Sequence, residues 1–376
     1  MLKKYFENNI KNYWRNIDKA IFVSFLILFI LGIFFSFAST SSLAGERLNK
    51  DYYFFFSKHL IFAICSIFIM ITISWFQTKF LKKFLTPVFL VLLIALFLVL
   101  FFGVEVKGSK RWLDLFFFRF QPIEFLKPFF IVMIAQILSQ ENLAPTSTSY
   151  FLSFLCLIIP CTILLNQPDV GQTILLVLSW SAIVFVSGIK LIYIFSLFGV
   201  ALFLIASLLF IFPDKFSYVF KRIEVFFDPS KGERFQSTKA LDAIKEGGLT
   251  GQGMGEGTLK DNVPEAHTDY VISVIAEEFG SIISILLICI FLYIAFRVIK
   301  FALQDDDKFI KTSLCGLMSL LIFQTFIHIG VNTSLLPTTG MTLPFLSYGG
   351  SSMFGSAMLA GIIINFTKQK FTNENF

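Results

Sequence analysis

Charge is scarce in this 376-residue chain: Asp, Glu, Lys and Arg make up 15% of it, while 56% is hydrophobic. A soluble fold has too little interior to hide that much apolar surface, which excludes an aqueous globular protein and leaves a polytopic membrane protein. The five cysteines, Cys65, Cys156, Cys161, Cys289 and Cys315, fall inside apolar runs without zinc-type or disulfide-framework spacing, and read as buried thiols. Histidine is rarer, at three residues, and no ligand cluster demands a metal. The Gly-rich segment 247–257 lacks the Gly-Lys-Ser/Thr ending of a phosphate-binding P-loop, so a flexible hinge is the better reading. No small-residue cleavage pattern ends the first apolar run, which reads as a retained span. The net charge of +6 reflects basic loops on one face of a membrane, and nucleic acid is not expected as a partner. What abounds is phenylalanine, 51 residues as suited as leucine to face lipid and without chemistry of their own.

Runs long enough to cross ~30 Å of hydrocarbon, roughly 20 residues each, lie near 20–39, 54–76, 84–103, 122–139 and 149–165. The stretch 173–212 is too long for one helix, and Ser187-Gly188-Ile189-Lys190 divides it into two. With runs near 269–299, 309–333 and 350–367, the expectation is an all-α polytopic protein of about ten transmembrane helices. The membrane domain then covers 20–367, between a tail at 1–19 and another at 368–376, with a large outer segment at 213–268. Lys3, Lys4, Lys11, Arg15 and Lys19 in the first tail, and Lys79, Lys82, Lys83, Lys190, Arg297, Lys300, Lys308, Lys368 and Lys370 in alternate loops, put those loops and both tails in the cytoplasm. Asp305-Asp306-Asp307 reads as a solvated turn.

Most unusual residues fall on the opposite face. The loop 104–121 breaks the charge rule with Lys107, Lys110, Arg111 and Arg119, which suggests an anionic ligand. Gln121 and Pro122 open the next span, where Glu124 and Lys127 sit three residues apart on one helix face. Ionisable groups within a span usually face a cavity, so this pair points to a lined pocket. Glu265, His267 and Asp269 gather at the mouth of another apolar helix, and Asp269 stands at the water boundary, where a carboxylate can act on a substrate hydroxyl or merely cap the helix. Deeper in that helix, at least one of Glu277 and Glu278 needs a basic or protonated partner, for which Lys127 is one candidate. His328 and Asn332 read as a bridge between helices, and His59 sits at a span edge. The segment from Leu336 to Ser352 is non-helical and rich in hydroxyls and glycines, among them Ser347, Gly349, Gly350 and Ser351, and has the character of a loop that binds phosphate or sugar oxygens.

At these residues the chain resembles the SEDS family (shape, elongation, division and sporulation) of multispanning peptidoglycan glycosyltransferases. The resemblance covers nearly the whole chain. It rests on Lys110-Arg111-Trp112-Leu113, Gln121-Pro122 with Glu124 and Lys127, Gln167-Pro168-Asp169-Val170-Gly171, Pro264 to Asp269, Glu277-Glu278 with Gly280, and Pro344 to Ser352. Ala266 and Thr342 stand where the elongation branch tends to carry Arg and Pro, which brings the chain closer to the cell-division branch. Ile123 stands where the family usually has Ser, so a hydroxyl role there lapses. The resemblance implies polymerisation of lipid II on the outer face of the cytoplasmic (inner) membrane, at the division septum. Asp269 would be the catalytic base. Lys110, Arg111 and Lys127 would oppose the pyrophosphate leaving group, with Gln121, Glu124, Glu265, His267, Ser347, Gly349, Gly350 and Ser351 as further substrate-binding residues. A class B penicillin-binding protein and other division proteins would be the partners. A divalent cation such as Mg or Mn could assist at the pyrophosphate, and no nucleotide is needed. Two competing readings, a lipid II flippase and a non-catalytic division scaffold, predict that loss of Asp269 is tolerated.

Overall fold

In lipid the backbone has no hydrogen-bond partner but itself, so apolar runs of this length become helices. The computed structural model describes residues 11–39, 54–106, 109–115, 119–139, 146–190 and 235–368, with isolated positions between 190 and 235. Among them, six helices are long and apolar enough to cross a membrane. They are α1 (Lys19–Ser39), α2 (Phe54–Trp75), α3 (Thr78–Phe102), α5 (Ser147–Asn166), α8 (Val271–Gln304) and α9 (Lys308–Asn332). Among the described residues, three helices of 17 residues, α4 (Pro122–Leu138), α6 (Val170–Val186) and α10 (Gly350–Phe366), join them, and a more polar helix, α7 (Phe235–Gly247), precedes α8. The chain is therefore a multi-pass membrane protein. The span expected within 190–212, the loop 40–53 and the outer segment as far as 234 lie outside the described residues.

Helix α4 is the axis of the arrangement. All of it except Met133 and Gln136 is buried, against α3, α5, α6, α9 and α10. Its charged residues thus face neither lipid nor bulk water and must be matched from neighbouring helices. Close approach of α10 is part of this: a Cβ on Gly355 would collide with the Glu124 carbonyl, so only glycine allows the two backbones to meet there. By contrast α3 turns Leu90, Val91, Ile94, Phe97 and Phe101 outward, the lipid-facing side of the bundle.

Helix α8 is two helices joined at Gly280, whose φ of 83° and ψ of 171° are not helical. Among the described residues, the fold departs from an all-helical reading at three short antiparallel strands, β1 (Val104–Val106), β2 (Ser109–Asp114) and β3 (Arg119–Phe120), with Glu105 opposite Lys110 and Asp114 opposite Arg119. At the other end of the bundle, the Asp18 carboxylate accepts from Arg297 Nε at 2.9 Å and caps α1 through the amides of Ala20 and Ile21. Asp307 is more than part of a solvated turn: it caps α9 and pairs with Lys82 at 2.9 Å. Burial pushes the Asp307 carboxyl up, but Lys82 and the capping amides outweigh it and hold the group below its ordinary range.

Candidate functional site

The Glu124–Lys127 pair expected from one helix face is formed, at 2.9 Å, with both side chains almost fully enclosed. Neutral amides complete it. Gln172 Nε2 of α6 donates to Glu124 Oε1 at 2.6 Å, and Lys127 Nζ donates to Gln324 Oε1 of α9 at 3.0 Å. Gln324 Nε2 in turn donates to the Thr342 carbonyl at 3.1 Å, tying the network to the loop between α9 and α10. Beside the pair lies a narrow crevice lined by Pro128, Leu321, Pro344 and Ser356. Gln172 and Gln324 escaped the sequence reading because amides carry no charge. The signal available was the demand itself, since an enclosed ion pair needs its remaining lone pairs and protons matched.

Arg111 is also committed within the fold. From β2 it reaches the turn between α5 and α6, where its Nε lies 3.6 Å from Asp169 Oδ2 and its guanidinium donates to the carbonyls of Gln167 at 3.4 Å and Pro168 at 2.5 Å. Asp169 caps α6 by accepting from the Gln172 amide at 3.4 Å. Burial pushes the Asp169 carboxyl up; Arg111 and the Gln172 amide pull it down without offsetting that, so it stays above the usual range. Arg111→Met is therefore expected to lower thermal stability without any substrate present, by about 3 kcal/mol, the loss typical of a broken enclosed pair. An unchanged melting temperature in detergent would return Arg111 to a role in binding alone. Lys110, by contrast, is exposed on β2.

The turn 264–270 presents Asp269. Glu265 takes a positive φ of 59°, and its carbonyl accepts the amides of Thr268, Asp269 and Tyr270 at 3.0, 3.1 and 3.3 Å. The Glu265 carboxylate accepts from the Thr268 hydroxyl at 3.1 Å. Three further elements hold this turn. Asn332 Nδ2 donates to the Asp269 carbonyl at 3.0 Å while its Oδ1 accepts from Ser273 at 2.7 Å. Ser347 donates to the Thr268 carbonyl at 2.6 Å, and the Tyr348 amide donates to the His267 carbonyl at 2.9 Å. The His267 ring lies between Phe55 and Tyr348, at centroid distances of 5.0 and 5.6 Å. The helix-bridging role read for Asn332 holds, through Ser273 of α8, whereas His328 Nδ1 shares its hydrogen bond with the Met341 carbonyl of the loop 334–349 at 2.7 Å, so both residues anchor what surrounds Asp269. His59, near the start of α2, is fully buried and faces the Tyr348 ring at 6.0 Å.

The loop 334–349 thus joins two clusters far apart in sequence, touching Gln324 through Thr342 and the Asp269 turn through Ser347 and Tyr348. Gly340 comes close enough that a Cβ there would stand 3.5 Å from Asp269 Oδ2. At the start of α10, Ser351 accepts from the Gln121 amide and donates to the Arg119 carbonyl, each at 3.0 Å, with Gly349 and Gly350 beside it.

The partner of Glu278 is Lys260 rather than Lys127, whose ammonium is already shared between Glu124 and Gln324. Glu277 accepts from the Leu259 amide at 2.7 Å. The expectation of a hinge at 247–257 is not met either: the segment is bonded across the break in α8, with Gln252 and Gly253 donating to the carbonyls of Glu277 and Glu278.

Residues 18–372 match the model of the FtsW/RodA/SpoVE family, described as cell cycle proteins. A relative from Caulobacter vibrioides, named "Probable peptidoglycan glycosyltransferase FtsW", is 34% identical over 95% of this chain and 91% of its own. One of the same name from Haemophilus influenzae is 32% identical over 96% of this chain and 95% of its own. Among solved structures, a chain of a peptidoglycan synthase complex is similar with a TM-score of 0.76 at 23% identity, covering 93% of this chain and 97% of that one. The rod shape determining protein RodA of Thermus thermophilus is similar with a TM-score of 0.69 at 22% identity, over 93% and 96%. At that identity the two structures speak for the fold.

Proposed function

The chain belongs to the FtsW/RodA/SpoVE family of cell cycle proteins, and from that premise we propose that it is a peptidoglycan glycosyltransferase of the division type, polymerising lipid II at the outer face of the bacterial inner membrane. The relatives at 30–34% identity carry that activity in their name. The observation that carries the reading is the loop 334–349, which binds the Asp269 turn and the Glu124–Lys127 network into one assembly.

Asp269 takes the proton from the 4-hydroxyl of the acceptor GlcNAc as that oxygen attacks the anomeric carbon of the donor. The bond to undecaprenyl pyrophosphate breaks, and the pyrophosphate leaves with the electron pair. Its growing charge needs fixed positive groups. Lys110, exposed on β2, is the cation best able to meet it; Arg111 and Lys127 are already matched within the fold and act by shaping the site. Glu265, His267 and Ser347 set the turn, while Gln121 and Ser351 join the start of α4 to the start of α10, with Gly349 and Gly350 beside them. The reading includes a divalent cation only as a companion of the substrate pyrophosphate, because among the described residues no group of three or more His, Cys, Asp or Glu gathers to hold one.

A class B penicillin-binding protein is the partner this reading requires, since uncrosslinked strands alone make no wall, with other division proteins recruiting the pair to the septum. The test is direct. The purified protein, bound to such a partner whose transpeptidase is blocked by a β-lactam, should convert lipid II to glycan strands resolved as a ladder. Lipid II recovered intact from a folded, assembled complex would overturn the reading in favour of transport or scaffolding.

A further inference from the structure

A break in a helix at membrane depth leaves carbonyls before it and amides after it without helical partners. In α8 the break at Gly280 is covered by a strap, 248–260. The Gln252 and Gly253 amides donate to the carbonyls of Glu277 and Glu278 at 2.9 and 3.0 Å. On the far side, the Ser281 and Ile282 amides donate to the carbonyls of Gly248 and Leu249 at 3.0 and 3.3 Å. The fit is close: a Cβ on Gly251 or Gly280 would collide with the facing backbone. Side chains then lock what the backbone has joined. Gly255 donates to Glu278 Oε1 at 3.3 Å, Leu259 to Glu277 Oε1 at 2.7 Å, and the Lys260 ammonium, on a residue only 6% exposed, pairs with Glu278 Oε1.

Lys260 stands where the strap ends and the approach to the Asp269 turn begins. It opens the 3-10 turn Lys260–Asn262, its carbonyl accepts the Val263 amide at 3.1 Å, and Val263 is buried. The turn 264–270 follows at once. One end of that turn is fixed by α8, which starts at Val271; the other is fixed through Lys260. Backbone bonds already match two carbonyls before the break and two amides after it, and an enclosed ion pair adds little net stability; its use here would be to hold one arrangement over its alternatives.

We propose that Lys260 is a positioning residue for the glycosyl transfer: its enclosed ion pair with Glu278 clamps the strap to α8 and so fixes where the Asp269 carboxylate meets the acceptor hydroxyl. The proposal rests on the glycosyltransferase reading for its activity arm only. A displacement of about 1 Å at a reacting group can cost on the order of a hundredfold. In the full-length protein bound to its penicillin-binding partner, Lys260→Met is therefore expected to lower kcat for lipid II polymerisation about ten- to a hundredfold with KM within about twofold, while Lys260→Arg keeps most of it. Lys260→Met with Glu278→Gln removes the unmatched charge, so it should restore melting temperature without restoring kcat.

Amide hydrogen exchange supplies a readout independent of activity. Exchange over 252–269 should accelerate in both Met variants and stay near wild type in Lys260→Arg. The proposal is overturned by wild-type kcat in folded Lys260→Met, by recovery of both stability and kcat in the double variant, or by exchange unchanged across the strap. A wild type that makes no polymer, with exchange responding as expected, would sink the glycosyltransferase reading and leave the clamp standing.

Discussion

Lys127→Met should both destabilise the protein and abolish glycan synthesis, because it leaves the Glu124 carboxylate enclosed in an almost wholly buried helix without its cation. The two groups meet at 2.9 Å with side-chain exposures of 3% and 5%. Breaking such a pair from one side typically costs about 3–5 kcal/mol, most of it the penalty of the stranded charge. Replacing both, as Glu124→Gln with Lys127→Met, removes both charges and should recover most of the melting temperature in detergent. Activity should not follow. The ammonium also donates to Gln324, which holds the Thr342 carbonyl, so losing it loosens the loop 334–349 where that loop meets the Asp269 turn. A double variant that polymerises lipid II at the wild-type rate would reduce the pair to a structural element.

Asp269→Asn is expected to remove polymerisation while sparing binding. The substitution keeps the shape of the side chain and leaves the backbone bonds of this position, to Glu265 at 3.1 Å and from Asn332 at 3.0 Å, undisturbed. What it removes is the acceptor for the hydroxyl proton, and loss of a general base costs typically about 10²–10⁴ in rate. The loss should appear in kcat, with the affinity for lipid II little changed, the pattern of a group that acts in the transition state. A transporter or a scaffold has no use for a base there and would keep its function.

The parts legible in the sequence were those whose chemistry is local. Glu124 and Lys127, three residues apart on one turn, are placed to meet, and Asp269, at the head of an apolar run, is placed near the helix mouth. The glycines of 247–257 misled because glycine serves mobile hinges and tight backbone contacts alike, and only the break at Gly280 shows which applies. Partners across the bundle carried no signal at all: nothing near Glu278 in the chain favours Lys260 over Lys127 until the strap folds back over α8. The hairpin of β1 and β2 was read as an irregular loop since its strands are three and six residues long. The apolar runs near 122–139 and 350–367 were legible as spans, and α4 and α10 fill them almost to the residue, although most of their surface meets neighbouring helices.

The measurement that bears most directly on this account follows elongation of lipid II, with products resolved by length, in matched complexes of wild type and Asp269→Asn with a β-lactam-blocked penicillin-binding partner. Lipid II affinity and partner binding would be determined on the same preparations. Equal affinity and equal assembly are expected, with a glycan ladder from the wild type and unextended lipid II from the variant. Ladders of equal length and rate from both would contradict it, for Asp269 would then take no part in the chemistry.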